Sequence, residues 1–148
     1  MIDFQKNIPL NIKKIKLISD DPYGLLEMTI KEILYLYNID VVNFHDYQKY
    51  KDNIPVIKII NIFYDDKIIS NDYYGNGIEK ELTLTVIINL IFPNKINYLL
   101  KIFETSNLFN DEFDSFKKDI KEELLKKELC KNVGHHLFRK LLLIHENS

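Results

Sequence analysis

A chain of 148 residues, 46% hydrophobic and 28% charged, is long enough to bury one core and too short for two comfortable ones. Four glycines and four prolines argue against disorder, and a formal charge of −2 gives no footprint of a nucleic-acid binder. A single cysteine, Cys130, excludes an internal disulfide framework.

Arg139 is the one arginine among 20 basic residues. Anions must therefore be met by lysine point charges rather than by bidentate guanidinium groups. No hydrophobic run approaches the ~20 residues that span a bilayer. The opening residues, Met1 to Asn7, carry neither an apolar stretch nor a cleavage site. Alone, they read as the start of a cytoplasmic chain or of a mature domain.

In chain order, Ile12 to Ile18 is a short strand candidate. Ser19 to Tyr23 reads as a helix entry, with Asp21 as N-cap and Pro22 at the first helical position. From Leu25 to Tyr37, Leu26, Ile30, Ile33, Leu34 and Tyr37 fall at helical spacing, and Asn38 suits the C-terminal end. Ile39 to Val42 adds a possible short strand, and Asn43 to Asn53 reads as a loop. Pro55 to Ile62 is rich in β-branched residues and extends toward Ile69. Gly75 and Gly77 mark a hairpin turn or bulge.

The clearest periodicity runs from Leu82 to Phe92. Leu82, Leu84, Val86, Ile88, Leu90 and Phe92 point one way; Thr83, Thr85, Ile87, Asn89 and Ile91 point the other. Pro93 to Lys95 forms a turn, Ile96 to Phe103 returns as a partner strand, and Asn107 to Asp114 is a loop. A long helix from Asp114 to Leu143 repeats Phe116, Ile120, Leu124, Val133, Leu137 and Leu141, widened by Leu125 and Leu129. Gly134 weakens it by ~1 kcal/mol relative to alanine. The pattern predicts an α+β fold of order β-α-β-β-β-α: a mostly antiparallel four-stranded sheet with two helices on one face. It forms a single domain over 1–148, with its core at about 8–142.

Few residues suggest chemistry. Asp20 and Asp21 supply carboxylates for a hard cation, but their spacing is not that of a calcium loop, and a helix cap explains them better. Cys130 and His135 are five residues apart, off the i, i+4 face that zinc pairs prefer. His45 and Asp46 lack a partner nucleophile. No phosphate-binding glycine loop, nucleophile elbow or CxxC is present, so no catalytic, metal or cofactor site is assigned and the chain reads as a non-enzyme. Lys13, Lys14 and Lys16, with Lys6 nearby, make a small basic cluster that a solvated strand face accounts for. Lys117 and Lys118 open the last helix, where lysines gain nothing from the helix dipole but, together with free helix amides, can hold a phosphate.

The order of elements and their punctuation resemble the LPS-assembly lipoproteins, the LptE family. The resemblance begins at Ile8 and Pro9 and runs through the Ile12–Ile18 strand into Asp21 to Leu26, where the family has an Asp-Pro-x-Gly segment opening its first helix. It continues at Asn38 and Ile39, through Asn76 to Pro93 with Leu82 to Val86 at its centre, and from Phe116 to the Leu137–Leu141 ending of the last helix. It covers roughly Ile8 to Leu142, and the ordered set carries it rather than any one motif.

The resemblance implies a lipid-anchored protein at the periplasmic side of the outer membrane. It implies a plug inside the LptD β-barrel, helping that barrel assemble and helping deliver lipopolysaccharide to the cell surface. Some family members bind lipopolysaccharide through basic residues. The second of these, at the start of the last helix, matches Lys118. The first, near the hairpin tip, falls at Tyr73 or its neighbours, and Asn71 to Gly75 holds no basic residue. The family's lipidated N-terminal cysteine has no counterpart here, since Cys130 lies in the last helix; the expectation is a truncated form or a lineage without the anchor.

A plug needs a polar and aromatic surface to meet the wet lumen of a wide barrel. Tyr23, Tyr47, Tyr50, Tyr64, Tyr73, Tyr74 and Phe109, at predicted loops and strand ends, suit such an interface. The competing reading is a cytoplasmic α+β binding or regulatory module, motivated by the opening residues.

Overall fold

The computed structural model describes residues 12–43, 47–49, 53–71, 77–109 and 115–146. Its elements are β1 (Lys14–Ile18), α1 (Leu25–Leu36), β2 (Asp40–Val42), β3 (Val56–Asn71), β4 (Gly77–Ile91), β5 (Asn97–Phe109) and α2 (Ser115–Glu146). Residues 47–49 add a helical turn where the sequence reads as loop.

The mixed α+β class and the antiparallel β3–β4–β5 meander are as expected. The four-stranded sheet is not: the sheet has five strands in the order β2-β1-β3-β4-β5. β1 lies parallel to both neighbours, pairing Ile15 with Val41 of β2 and Leu17 with Ile57 of β3. The reason lies in the connections. A strand joined to its neighbour through a helix comes back parallel, and α1 is the crossover between β1 and β2. Periodicity within each strand carries no record of which edge it joins.

β4 is central to the longer half of the sheet. Leu82, Leu84, Val86, Ile88 and Leu90 are all buried, as the alternation demands. A bulge at Ile60 resets the phase of β3, whose register with β4 passes from Ile59↔Ile88 to Asn61↔Ile87. Ile57, Ile59, Ile62, Tyr64 and Asp66 consequently share β4's buried side, while Asn61, Phe63 and Asp65 share the other.

α1 begins one residue after Gly24, not at Pro22. Gly24 is the N-cap, without a side-chain hydrogen bond, because residues 21–24 close a turn in which the Gly24 amide donates to the Asp21 carbonyl at 3.0 Å. Ser19 takes over the polar role by donating its hydroxyl to the buried Glu27 carboxylate. At the other end Asn38 takes φ 63°, and the Ile39 amide donates to the Leu34 carbonyl at 2.9 Å, a left-handed ending that asparagine tolerates.

α2 packs on α1, β5 and β4. Leu129, Cys130, Val133, Leu137, Phe138 and Leu141 are buried in the common core, and Phe138 stacks on Tyr37 with ring centres 3.7 Å apart. Gly134 has a structural reason to be small. A Cβ there would lie 3.0 Å from Ile33 Cγ1, so the glycine lets α1 and α2 approach closely. The loss of helix propensity is exchanged for helix–helix contact. Gly134→Val is therefore expected to destabilise the fold by about 1–3 kcal/mol through overpacking, read as a lower urea midpoint with an unchanged slope. A midpoint equal to or above wild type would show that the contact is not tight.

Candidate functional site

The residues singled out from sequence do not converge. Cys130, His135 and His136 leave α2 in three directions. The Cys130 thiol and the Tyr64 hydroxyl share a hydrogen bond at 3.4 Å. His135 Nδ1 meets the Tyr37 hydroxyl at 3.1 Å, and His136 Nδ1 approaches Glu104 Oε1 of β5 at 3.5 Å. Each is a packing contact between α2 and a different element. Among the described residues no group of three or more His, Cys, Asp or Glu side chains is arranged to hold a metal ion. Asp20 and Asp21 stay exposed beside the Ser19–Glu27 hydrogen bond. His45, Asp46, Tyr50, Tyr73, Tyr74, Gly75 and Lys6 lie outside the described residues.

The basic cluster on β1 is partnered. Lys14 Nζ lies 3.9 Å from Asp40 on β2, and Lys16 Nζ sits 5.7 Å from the centre of the Tyr47 ring. Tyr47 thus spends its aromatic face within the domain, as does Tyr64, which lies under Lys126 at 5.2 Å. Tyr23 also has a lysine near its ring, Lys31 Nζ at 5.9 Å from the centre, but it is 84% exposed.

Two surfaces are left. The first is the helix-free face of the sheet. Across it run the registered rows Lys58–Asn89–Leu99, Asn61–Ile87–Lys101 and Phe63–Thr85–Phe103. Leu99 and Phe103 are exposed on the edge strand β5, with Phe63 and the bulged Ile60 exposed on β3. Near these rows the face mixes large apolar, amide and hydroxyl side chains, as a protein interface does, while Asp65, Lys67, Glu79 and Glu81 make its far end charged. The alternation of β4 forecast the mixed side; the concentration of apolar exposure on β5 required knowing that β5 is an edge.

The second surface is the first half of α2. Lys118 lies in it, half-buried near the start of the helix. Further along the helix, Leu108 and Phe109 of β5 and Leu124 and Leu125 of α2 line an open groove of about 390 Å³. A second groove of about 430 Å³ lies on the other side of Leu124, lined by Leu25 and Ile120. Neither holds a convergent set of polar groups of the kind that catalysis needs.

The buried side of α2 fixes the state of Cys130. Burial pushes its thiol above the ordinary value of 9.0, against a smaller lowering by the Tyr64 hydrogen bond. Burial also raises the Tyr64 hydroxyl well above its ordinary value. Both groups are protonated in the fold, and the unfolded chain releases these protons first as pH rises. Their contribution to stability is thus complete below about pH 9 and is lost progressively above it. The folded protein is expected to resist thiol alkylation at pH 8 and to label fully in denaturing urea. Fast labelling of the native protein would contradict this burial.

The fold defines a class: an α+β fold in which, among the described residues, α1 and α2 pack together beside a five-stranded sheet. No family model matches the sequence. The chain is 27% identical over 138 residues to the LPS-assembly lipoprotein LptE of Photorhabdus laumondii, spanning 93% of this chain and 73% of that one. The LPS-assembly lipoprotein LptE of Yersinia pestis is also 27% identical over 138 residues, with 65% of its length matched. The crystal structure of rare lipoprotein B from Shewanella oneidensis superposes with a TM-score of 0.78 at 24% identity, covering 90% of this chain and 97% of that one. The chain thus shares its sequence pattern with the LPS-assembly lipoproteins LptE across nearly its whole length, and its fold with rare lipoprotein B. The resemblance seen in the sequence is shown.

Proposed function

We propose that this protein is a non-enzymatic plug and assembly partner of an LptD-like outer-membrane β-barrel, acting at the periplasmic side in the insertion of lipopolysaccharide at the cell surface. The single observation that carries this reading is the similarity to proteins named for LPS assembly over 93% of the chain. The sheet's bare face supports it: Phe63, Phe103, Leu99 and Ile87 between Asn61, Asn89, Thr83 and Thr85 suit the mixed polar wall of a barrel lumen. The names of the relatives favour this reading over a cytoplasmic binding module.

The test is co-expression with the LptD-like barrel of the same source and purification through a tag on the barrel. A stoichiometric complex that survives high salt is the expected result. A folded chain that never co-purifies would leave only a likeness of fold.

Lipopolysaccharide binding is the second part of the reading. Lys118 is proposed as a phosphate contact, because it stands at a helix start where backbone amides also favour anions. Lys118→Ala is expected to weaken lipopolysaccharide binding about tenfold, the loss of one charge-assisted contact, with no change in thermal stability. Affinity equal to wild type removes the assignment and leaves the plug role intact.

A further inference from the structure

The end of the sheet away from the α2 grooves has a different chemistry. Register brings the starts of β1, β2, β3 and β5 and the close of β4 together there: Lys14 pairs with Asp40, Lys16 with Val56, Val56 with Ile91 and Ile91 with Asn97. A pocket of about 340 Å³ lies at this end. Ile12, Pro55, Phe92 and Pro93 give it apolar walls, and Lys13 and Lys14 line it as well. The α2 grooves take in Asp119, Glu123 and Glu128, and the hollow beside Ser19 takes in Asp20, Asp21 and Glu27. Among the described residues, no carboxylate lines the pocket at the strand starts.

Its walls are held by the backbone. The Lys16 amide donates to the Pro55 carbonyl at 3.0 Å, and the Asp40 amide donates to the Lys13 carbonyl at 2.8 Å. Opposite them stands the turn from β4 to β5. There the Lys95 amide donates to the Phe92 carbonyl at 2.8 Å, and the Ile96 amide to the Asn94 side-chain oxygen at 3.0 Å. Phe92 meets Tyr98 edge-on, with ring centres 5.8 Å apart. The turn is exposed from Pro93 to Asn97 and carries a lysine and an isoleucine at its tip, Ile96 being 46% exposed. Lys14 is drawn to Asp40 at 3.9 Å, so the positive charge of this end rests chiefly on Lys13 and Lys95.

This combination selects its occupant. A free anion would meet mostly apolar wall, and an apolar segment would leave the lysines unused. The surface of an anionic bilayer presents phosphates above glycerol and acyl chains. Lysines gain at the phosphate level, and aromatic and apolar side chains settle just beneath it. The contact is made by strand ends, so it leaves the helix-free face of the sheet uncovered.

We propose that this end of the sheet docks on the surface of an anionic phospholipid bilayer, with Lys13 and Lys95 on headgroup phosphates and Ile96 at the level of the glycerol. This rests on the membrane side of the proposed function and names the lipid surface that the domain touches. Lys118 has no part in it, because the first half of α2 packs toward the opposite end of β5, at Leu108 and Phe109.

The test is flotation of the purified full chain with vesicles of phosphatidylethanolamine, with and without phosphatidylglycerol, at low salt. Wild type is expected to float with the mixed vesicles only and to be released by added salt. Lys13→Glu and Lys95→Glu are each expected to weaken binding by about tenfold or more, since one lysine near an anionic surface is worth roughly fivefold and reversal loses it twice over. Lys13→Arg keeps the charge and is expected to bind as wild type. Lys131→Glu makes the same change of net charge at an exposed position of α2 and is also expected to bind as wild type. Lys13 and Lys95 are exposed, so their variants keep the wild-type urea midpoint. No flotation of wild type, equal flotation on both kinds of vesicle, or a loss in Lys131→Glu matching that in Lys13→Glu overturns the proposal. So does release of bound wild type by inorganic phosphate when chloride of the same ionic strength leaves it bound, because the pocket would then be taking the free ion. Co-purification with the barrel is measured in parallel. If Lys13→Glu still co-purifies but no longer floats, both readings stand. A wild-type chain that floats and never co-purifies sinks the plug reading alone; one that co-purifies and never floats sinks the surface contact alone.

Discussion

The burial of one side of β4 is the constraint from which the remaining architecture follows. Leu82, Leu84, Val86, Ile88 and Leu90 are withdrawn from water, at about 1.5–3 kcal/mol for each side chain. They can be covered only from one side, since Thr83, Thr85, Ile87 and Asn89 occupy the other. β3 and β5 flank them in register, with Ile57, Ile59 and Ile102 extending the same apolar layer. A helix long enough to lie over that layer must follow, and α2 supplies it with Val133, Leu137 and Leu141. α1 then completes the cover, and it reaches α2 closely because position 134 has no side chain.

The parts of this fold that are local patterns were legible in the sequence. Period two located β4 and its buried side, helical spacing located α1 and α2, and Asn38 marked the end of α1. What depends on pairing was not. β1, β2 and the start of β3 are all short apolar runs, and nothing in a run records whether its neighbour lies parallel. β2, with three residues, is too short for a period at all. The N-cap falls at Gly24 rather than Asp21 because residues 21–24 close a turn before the helix starts, the Gly24 amide donating to the Asp21 carbonyl. Tyr64 and Cys130 are 66 residues apart, and no local signal joins them.

The bulge at Ile60 shows why reading β3 by alternation alone would mislead. Strict alternation from Ile57 and Ile59 would carry Asn61 and Phe63 into the core and leave Tyr64 outside. One extra residue inverts this. Asn61 is kept on the helix-free face, and Tyr64 is brought over Cys130, where its hydroxyl finds the thiol and its ring finds Lys126. The same step puts Phe63 opposite Thr85, in the row that continues to Phe103. A single insertion therefore sets both the contents of the core and the aromatic content of the exposed face.

The candidate surfaces follow from the same economy. Among the described residues the helices cover β4 on one side only, so the opposite side has its apolar exposure at β5, the edge of the described sheet. The sheet also outruns its helical cover at the far ends of β3 and β4, where Ile68 is exposed and α2 carries only half-buried or exposed side chains. Lys118 was legible as a basic residue at a helix start. The grooves further along the helix were not, since one arises from the meeting of Leu108 and Phe109 with Leu124 and Leu125, and the other from that of Leu25 with Ile120 and Leu124, each across two elements. Stability is thus concentrated where α2 meets α1 and the inner part of the sheet. The end that carries Lys118 and Leu124 contributes little to the core, and it can change its side chains toward a ligand at small cost to the fold.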